Sequence, residues 1–443
     1  MDPIPISDPA GAREAPAHAA MSRFDAPPAA ARVPSSDQAD RRARAAALAC
    51  MVGLAVVLGV GRFAFTPLLP LMLADGSIGL KAGGWLASAN YAGYFVGAVS
   101  CAALHVAPAR MVRFGLAATV LLTAAMGIGH WLPAWLVVRF VAGVVSAWTF
   151  VFMSQWGLRR LAELAAPEWS GVIYAGPGVG IVVTGLIGSA LAGQHAALGW
   201  QGFAALSAVL SVAIWRTFGA APAVAHAQPT SPATAPHAAT GVPVAPAARA
   251  APRSRRADAA WLVVLYGAPG FGYIITATFL PVIARAALPA GSPWPDLFWP
   301  MFGAALIVGA ITAARLPGHW DNRLLLAAGC ATQALGIAAG IVWPNAAGFS
   351  IGSALLGLPF TAITLFAMRE ARRLHGERAA GLMGYATASY GVGQILGPLV
   401  AAPLAARFGS FTPALWVAVA ALLIGAAGFA ATAARGRRSS RRG

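Results

Sequence analysis

The chain has 443 residues, of which 58% are hydrophobic and only 10% charged, against about 25% charged in an ordinary soluble domain. Such a sequence lacks the polar surface to coat a globule in water and reads as a polytopic membrane protein. The net charge of +17 would suggest a nucleic-acid partner in a soluble protein, but the cytoplasmic loops of a membrane protein accumulate Lys and Arg, so no nucleic acid is expected.

In chain order, residues 1–40 are rich in Pro, Ala and Asp without an apolar period and read as a disordered cytoplasmic tail with no signal peptide. Twelve apolar stretches follow that are long enough to cross a hydrocarbon core of about 30 Å as helices. They cover 46–74, 83–105, 111–131, 134–157, 170–193 and 198–218, then 260–284, 295–315, 323–343, 346–368, 380–403 and 411–433. Residues 219–258 separate them six and six. This second low-complexity stretch reads as a disordered cytoplasmic linker, with a reach of about 35 Å as a flexible chain. The expected domains are 41–218 and 259–434, with a basic cytoplasmic tail at 435–443.

Basic residues collect on both termini and at the ends of alternate loops, including Arg159, Arg160, Arg369, Arg372, Arg373 and Arg378. The opposite loops carry Lys81, Arg285 and Arg407. Both termini are therefore expected in the cytoplasm. Cys50, Cys101 and Cys330 all lie in apolar runs, so neither a disulfide framework nor a metal site is expected.

The two halves resemble each other. Gly59, Gly61, Leu69 and Pro70 match Gly270, Gly272, Leu280 and Pro281 at an offset of 211, and Tyr174, Ala175 and Gly180 match Tyr385, Ala386 and Gly391 at the same offset. Six-helix repeats of the same orientation place a substrate near the midplane between them.

These features resemble the major facilitator superfamily over residues 41–434. R-F-V-A-G from Arg139 resembles its helix-4 arginine motif. Y-A-G-P-G-V-G from Tyr174 resembles its Gly-Pro antiporter motif. His105–Arg113 departs from its loop 2–3 signature in lacking the usual Gly and Asp. The opening G-V-G-R-F-A-F-T-P-L-L-P from Gly59, followed by G-W-L-A-S-A-N-Y-A-G-Y, is similar to the YbfB/YjiJ-type branch. The resemblance implies an all-α fold of twelve helices in two pseudo-symmetric halves that alternate access, and places helices 1 and 4 on the central cavity.

Arg62 and Arg139 lie inside spans, where a central arginine costs about 2.5–3.5 kcal/mol on insertion scales. No carboxylate is mid-span; Asp75, Glu163, Asp296 and Glu370 fall at span ends. One reading is an anion site, because a guanidinium fork binds carboxylate or phosphate in a bidentate way. The other is structural, with the arginines bonding carbonyls at a kink near Pro67 and Pro70. Asn90 and Tyr94 share a face of helix 2 beside Gly93 and Gly97, a spacing that suits helix packing. Tyr273 occupies the repeat position of Arg62 and should face the cavity. Helix 11 aligns Thr387, Tyr390, Gln394 and Pro398 as a polar stripe. Gly61, Pro67, Pro70, Pro281 and the trio Gly176, Pro177 and Gly178 are expected bending points. Asp296 caps helix 8 or accepts a proton at the outer face.

The expected function is secondary transport of a small organic anion across a bacterial-type inner membrane. Arg62, Arg139, Asn90, Tyr94, Tyr273 and Gln394 would bind it, with a proton or an exchanged anion as the coupling partner. The alternative is a proton-coupled exporter of drug-like compounds or other small metabolites. A monomer in the lipid bilayer, with no enzymatic activity and no cofactor, is expected.

Overall fold

The computed structural model describes residues 36–129, 131–219 and 253–440. Most of the expected N-terminal tail and linker, and the last three residues, lie outside this range. The described residues are helical with no strand. The first span is composite, with α1 (Ser36–Leu54), a π-helical turn (Ala55–Val60) and α2 (Phe65–Ala74). Then come α3 (Leu80–Ser100), α4 (Pro108–Met126), α5 (Leu132–Glu163), α6 (Ser170–Ala190) and α7 (Ala196–Trp215). The second half holds α8 (Arg253–Ala287), α9 (Trp294–Arg315), α10 (Asn322–Val342), the short α11 (Ala346–Gly357) and α12 (Phe360–His375), α13 (Ala380–Phe408) and α14 (Thr412–Ser440).

Among the described residues, eleven helical segments are long and apolar enough to cross a membrane, with α1–α2 and α11–α12 each counting as one. The stretch expected at 83–105 forms α3, whose 21 residues reach about 31 Å at the helical rise. It is more polar than the others because Lys81, Ser88, Asn90, Tyr91 and Tyr94 lie on it. Its neighbours explain that polarity: α3 packs against α5 on one side and α13 on the other.

Three differences from the expected boundaries share one cause. Residues 36–40, 253–258 and 435–440 extend α1, α8 and α14 rather than belonging to a tail or linker. A formed helix propagates more easily than it nucleates, and the Ala and Arg there favour helix. The tenth span is split at Leu358–Pro359, because proline has no N–H to continue the ladder.

Within the first half, α6 packs on α1 and the π-helical turn, α3 and α4 pack on α5, and α7 packs on α4. The second half repeats the plan, with α13 on α8, α11 on α9 and α14 on α10. Glycine permits the closest approaches. A Cβ on Gly180 would lie 2.6 Å from the Gly59 Cα, and one on Gly93 would lie 1.8 Å from the Phe140 carbonyl oxygen. Small residues set such contacts in membranes because lipid supplies no hydrophobic drive between helices.

Two seams join the halves, α6 with α9 and α3 with α13, aided by α2 against α8. Their contacts lie away from the linker side. Gly185 meets Pro300, Gly178 meets Ile307, and Gly84 meets Ala402. At the first turns of α6 and α13, Gly171, Gly381 and Gly384 have open space around them. The halves therefore meet on the side of the α2–α3 and α8–α9 connections and leave the beginnings of α6 and α13 free.

The Gly59–Gly180 approach carries a testable cost. Gly180→Ala should destabilise the protein by about 1–3 kcal/mol through overpacking, whereas Gly171→Ala on the same helix should leave stability unchanged or slightly raised. Thermal unfolding of the two purified variants measures the difference.

Candidate substrate site

The site begins with a defect in the first span. Gly61 N–H bonds the Val56 carbonyl and Phe63 N–H the Leu58 carbonyl, both at 3.0 Å and five residues back. Pro67 has no N–H to offer the Phe63 carbonyl, and Thr66 N–H turns to it instead, at 3.2 Å. That shift leaves the Arg62 carbonyl without its usual donor. Arg139 from α5 repairs the defect: its Nη1 donates to the Gly61 carbonyl and its Nη2 to the Arg62 carbonyl, each at 3.3 Å. Its guanidinium also lies over the Phe65 ring at 4.9 Å. Asn90 Nδ2 in turn donates to the Arg139 carbonyl at 2.9 Å.

This geometry separates the two arginines. Arg139 is 2% exposed and directs two of its three nitrogens at backbone; Asn90 is fully buried against α5. Both stand behind the first span. Arg62 points the other way, between the halves. Its Nη2 donates to Gln394 Oε1 on α13 at 3.0 Å, and its Nε has no partner. Its guanidinium lies 4.1 Å from the Tyr94 ring centroid, 5.1 Å from Tyr91 and 5.4 Å from Phe63. Among the described residues no carboxylate pairs with either arginine.

The second half completes the wall. Gln394 Nε2 donates to the Tyr273 hydroxyl. Tyr273 stacks with Tyr390 at 5.9 Å, and Tyr390 lies 4.9 Å from Tyr266. Tyr94 and Tyr390 are half-buried, while Tyr91, Tyr266 and Tyr273 are buried. Arg62, Tyr94, Tyr273 and Gln394, singled out from the sequence, thus meet at one place, and the repeat position of Arg62 is reached through a single amide. Tyr91, Tyr266, Tyr390 and Phe63 join them. Tyr390 already stood in the helix 11 stripe, and Tyr91 lies three residues before Tyr94 on the same helix.

The proposed bending points divide. The interruption falls at Gly61–Ala64, while Pro67 and Pro70 lie within α2, Pro281 within α8 and Pro177 within α6. The Gly176–Pro177–Gly178 segment does not break its helix. Gly176 sits against the Met51 carbonyl and Gly178 against α9, so packing on both sides holds α6 through its proline. Pro281 acts at a distance: the Ala277 carbonyl four residues earlier loses its donor and accepts from Thr66 Oγ1 of the other half at 3.0 Å. Thr66 and Ala277 are themselves repeat partners, 211 residues apart. Tyr91 OH and Thr278 Oγ1, at 3.0 Å, and Ser88 Oγ with the Ile395 carbonyl, at 2.8 Å, add ties between the halves.

The acidic residues lie elsewhere. Asp296 pairs with Arg285 across the α8–α9 connection. Glu370, near a span end in the sequence, is 1% exposed and held by Arg373 at 2.6 Å and Arg323 at 3.7 Å. Arg323 also reaches Asp258 and Asp321, so this cluster binds the ends of α8, α10 and α12 on the linker side, away from Arg62.

A family model described as "Uncharacterised MFS-type transporter YbfB" matches residues 54–429. The chain belongs to this family of major facilitator transporters. A chloramphenicol resistance protein of Streptomyces lividans is 30% identical over 359 residues, 78% of this chain and 85% of that protein. Among solved structures, the nucleoside transporter NupG and a variant of it share the fold. Their TM-scores are 0.63 and 0.65 at 12% and 14% identity; they cover 88% and 87% of this chain and 98% and 99% of their own. The family, the fold and the apolar helices make this a multi-pass membrane transporter of a small molecule.

The Thr66 tie predicts a measurable loss. Thr66→Val keeps the side-chain shape but leaves the Ala277 carbonyl unpaired, and should cost about 0.6–1.7 kcal/mol, the range of interhelical hydrogen bonds in a membrane. Thr312→Val, whose exposed hydroxyl bonds its own helix, should cost less. Thermal unfolding of both variants checks the order.

Proposed function

We propose that the protein is a secondary transporter of a small organic anion, working by alternating access in a bacterial-type inner membrane with both termini cytoplasmic. The halves 41–218 and 259–434 would rock against each other about the seams. The observation that carries this reading is Arg62, a buried guanidinium among aromatic rings with a neutral amide as its hydrogen-bond partner. A cation in a low-dielectric site attracts an anion strongly, and an intramembrane charge is functional by default. Tyr94, Tyr273 and Gln394 would line the same site. Arg139 and Asn90 would act through it, holding the main chain that presents Arg62. With Arg139 committed to carbonyls, one free guanidinium suits a monoanion. A proton or an exchanged anion would balance the charge; Asp296, tied to Arg285, is the candidate proton carrier.

The second reading is export of drug-like compounds. The named activity of the Streptomyces lividans relative favours it, and an aromatic wall would receive a neutral aromatic body.

Thermal unfolding of the detergent-purified chain with carboxylates, phosphates, neutral sugars, chloramphenicol and cationic drugs separates the two. A ligand at 100 times its dissociation constant should add about 2.7 kcal/mol of stability. The anion reading predicts that a carboxylate stabilises the wild type, stabilises Arg62→Lys less and leaves Arg62→Ala unshifted. Stabilisation by chloramphenicol or cationic drugs alone, equal in Arg62→Ala, would give the second reading the lead.

A further inference from the structure

Gln394 stands where a substrate carboxylate would bind. Its Oε1 accepts from Arg62 Nη2 at 3.0 Å, and an amide oxygen offers a guanidinium the same acceptor as one oxygen of a carboxylate. The bond crosses from one half to the other, linking the first span to α13. Pro398 has no N–H for the Gln394 carbonyl four residues before it, and α13 runs unbroken through both. Gln394 Nε2 has its own second partner in the Tyr273 hydroxyl.

We propose that Gln394 is a resident competitor for Arg62, displaced by the carboxylate of an aromatic monocarboxylate whose ring lies against Tyr94 and Tyr390. This rests on the anion reading above. Tyr94 is the half-buried ring against Arg62, and the half-buried Tyr390 stacks with Tyr273, which Gln394 joins to Arg62; flat aromatic faces stack on a planar body. The exchange sets specificity. A carboxylate replaces one neutral acceptor with a charged, bidentate one and gains; charge-assisted bonds are roughly twice as strong as neutral ones. A neutral amide ligand replaces an amide with an amide and gains nothing. Displacement also unties the two halves at this point, so binding weakens one of the contacts that hold them together. Gln394 is thus a specificity-determining residue that acts by occupying the site.

Benzoate, benzamide and benzylamine are suitable probes, with dissociation constants measured by titration calorimetry on the full-length purified protein. Wild type should bind benzoate and not benzamide or benzylamine. Gln394→Leu removes the competitor at similar volume and should tighten benzoate about tenfold, the worth of one hydrogen bond to a charged group, and bring benzamide towards detection by the same factor. Gln394→Glu supplies a resident carboxylate to Arg62 and should abolish benzoate binding while the protein remains folded. If Gln394→Leu instead weakens benzoate as Arg62→Ala does, Gln394 is a direct ligand of the substrate and the competition is overturned while the anion site stands. If Gln394→Leu fails to fold, unimpaired benzoate binding by Gln394→Glu overturns the proposal. If none of the carboxylates binds wild type, or benzoate binds Arg62→Ala equally, the anion reading itself fails and the competition with it.

Discussion

A guanidinium held between two helical bundles without a carboxylate is the constraint on which the rest depends. Burying an ion inside a membrane is costly unless something pairs with it. Arg62 offsets that cost with three ring faces and one neutral oxygen. Cation–π contacts of this kind contribute about 0.5–2 kcal/mol each, enough to hold the cation and too little to neutralise it. The charge that remains is what the proposed anion site rests on. The two arginines differ in their acceptors: Arg139 bonds two backbone carbonyls of the first span, whereas Arg62 bonds one side-chain amide of the other half.

A second constraint is backbone pairing. In lipid each freed carbonyl needs a donor, and the prolines of this chain free several. Arg139 serves the defect above Pro67, and Thr66 serves the carbonyl freed by Pro281 across the pseudo-symmetry axis. The same residues that repair the backbone therefore also shape the site and join the halves. Elsewhere along the seams glycines pack against apolar side chains of the other half, Gly185 on Pro300, Gly178 on Ile307 and Gly84 on Ala402.

Much of this was legible in the sequence. Apolar length located the spans, the repeat at 211 paired Arg62 with Tyr273, and the opening of span 1 resembled the branch whose family model matches residues 54–429. The resemblance alone placed Arg139 on the cavity, because a motif gives a helix and not the direction of a side chain. Asn90 misled in the same way: its spacing from Tyr94 suited a shared face, but its amide turns to α5. The helix 5 break failed because a proline reports a missing hydrogen bond, while neighbours at Met51 and on α9 decide whether the helix bends. Glu370 reads as a span-end acid until the fold buries it under two arginines. Partners from distant helices decide each of these cases, and no local pattern encodes them.

Counterflow in proteoliposomes tests the anion site most directly. Vesicles preloaded with unlabelled benzoate would receive radiolabelled benzoate outside, with benzamide as the neutral control and Arg62→Ala as the variant. Saturable exchange of benzoate by the wild type, absent for benzamide and lost in Arg62→Ala, is the predicted result. Equal exchange of the neutral amide, or of benzoate by Arg62→Ala, would contradict it.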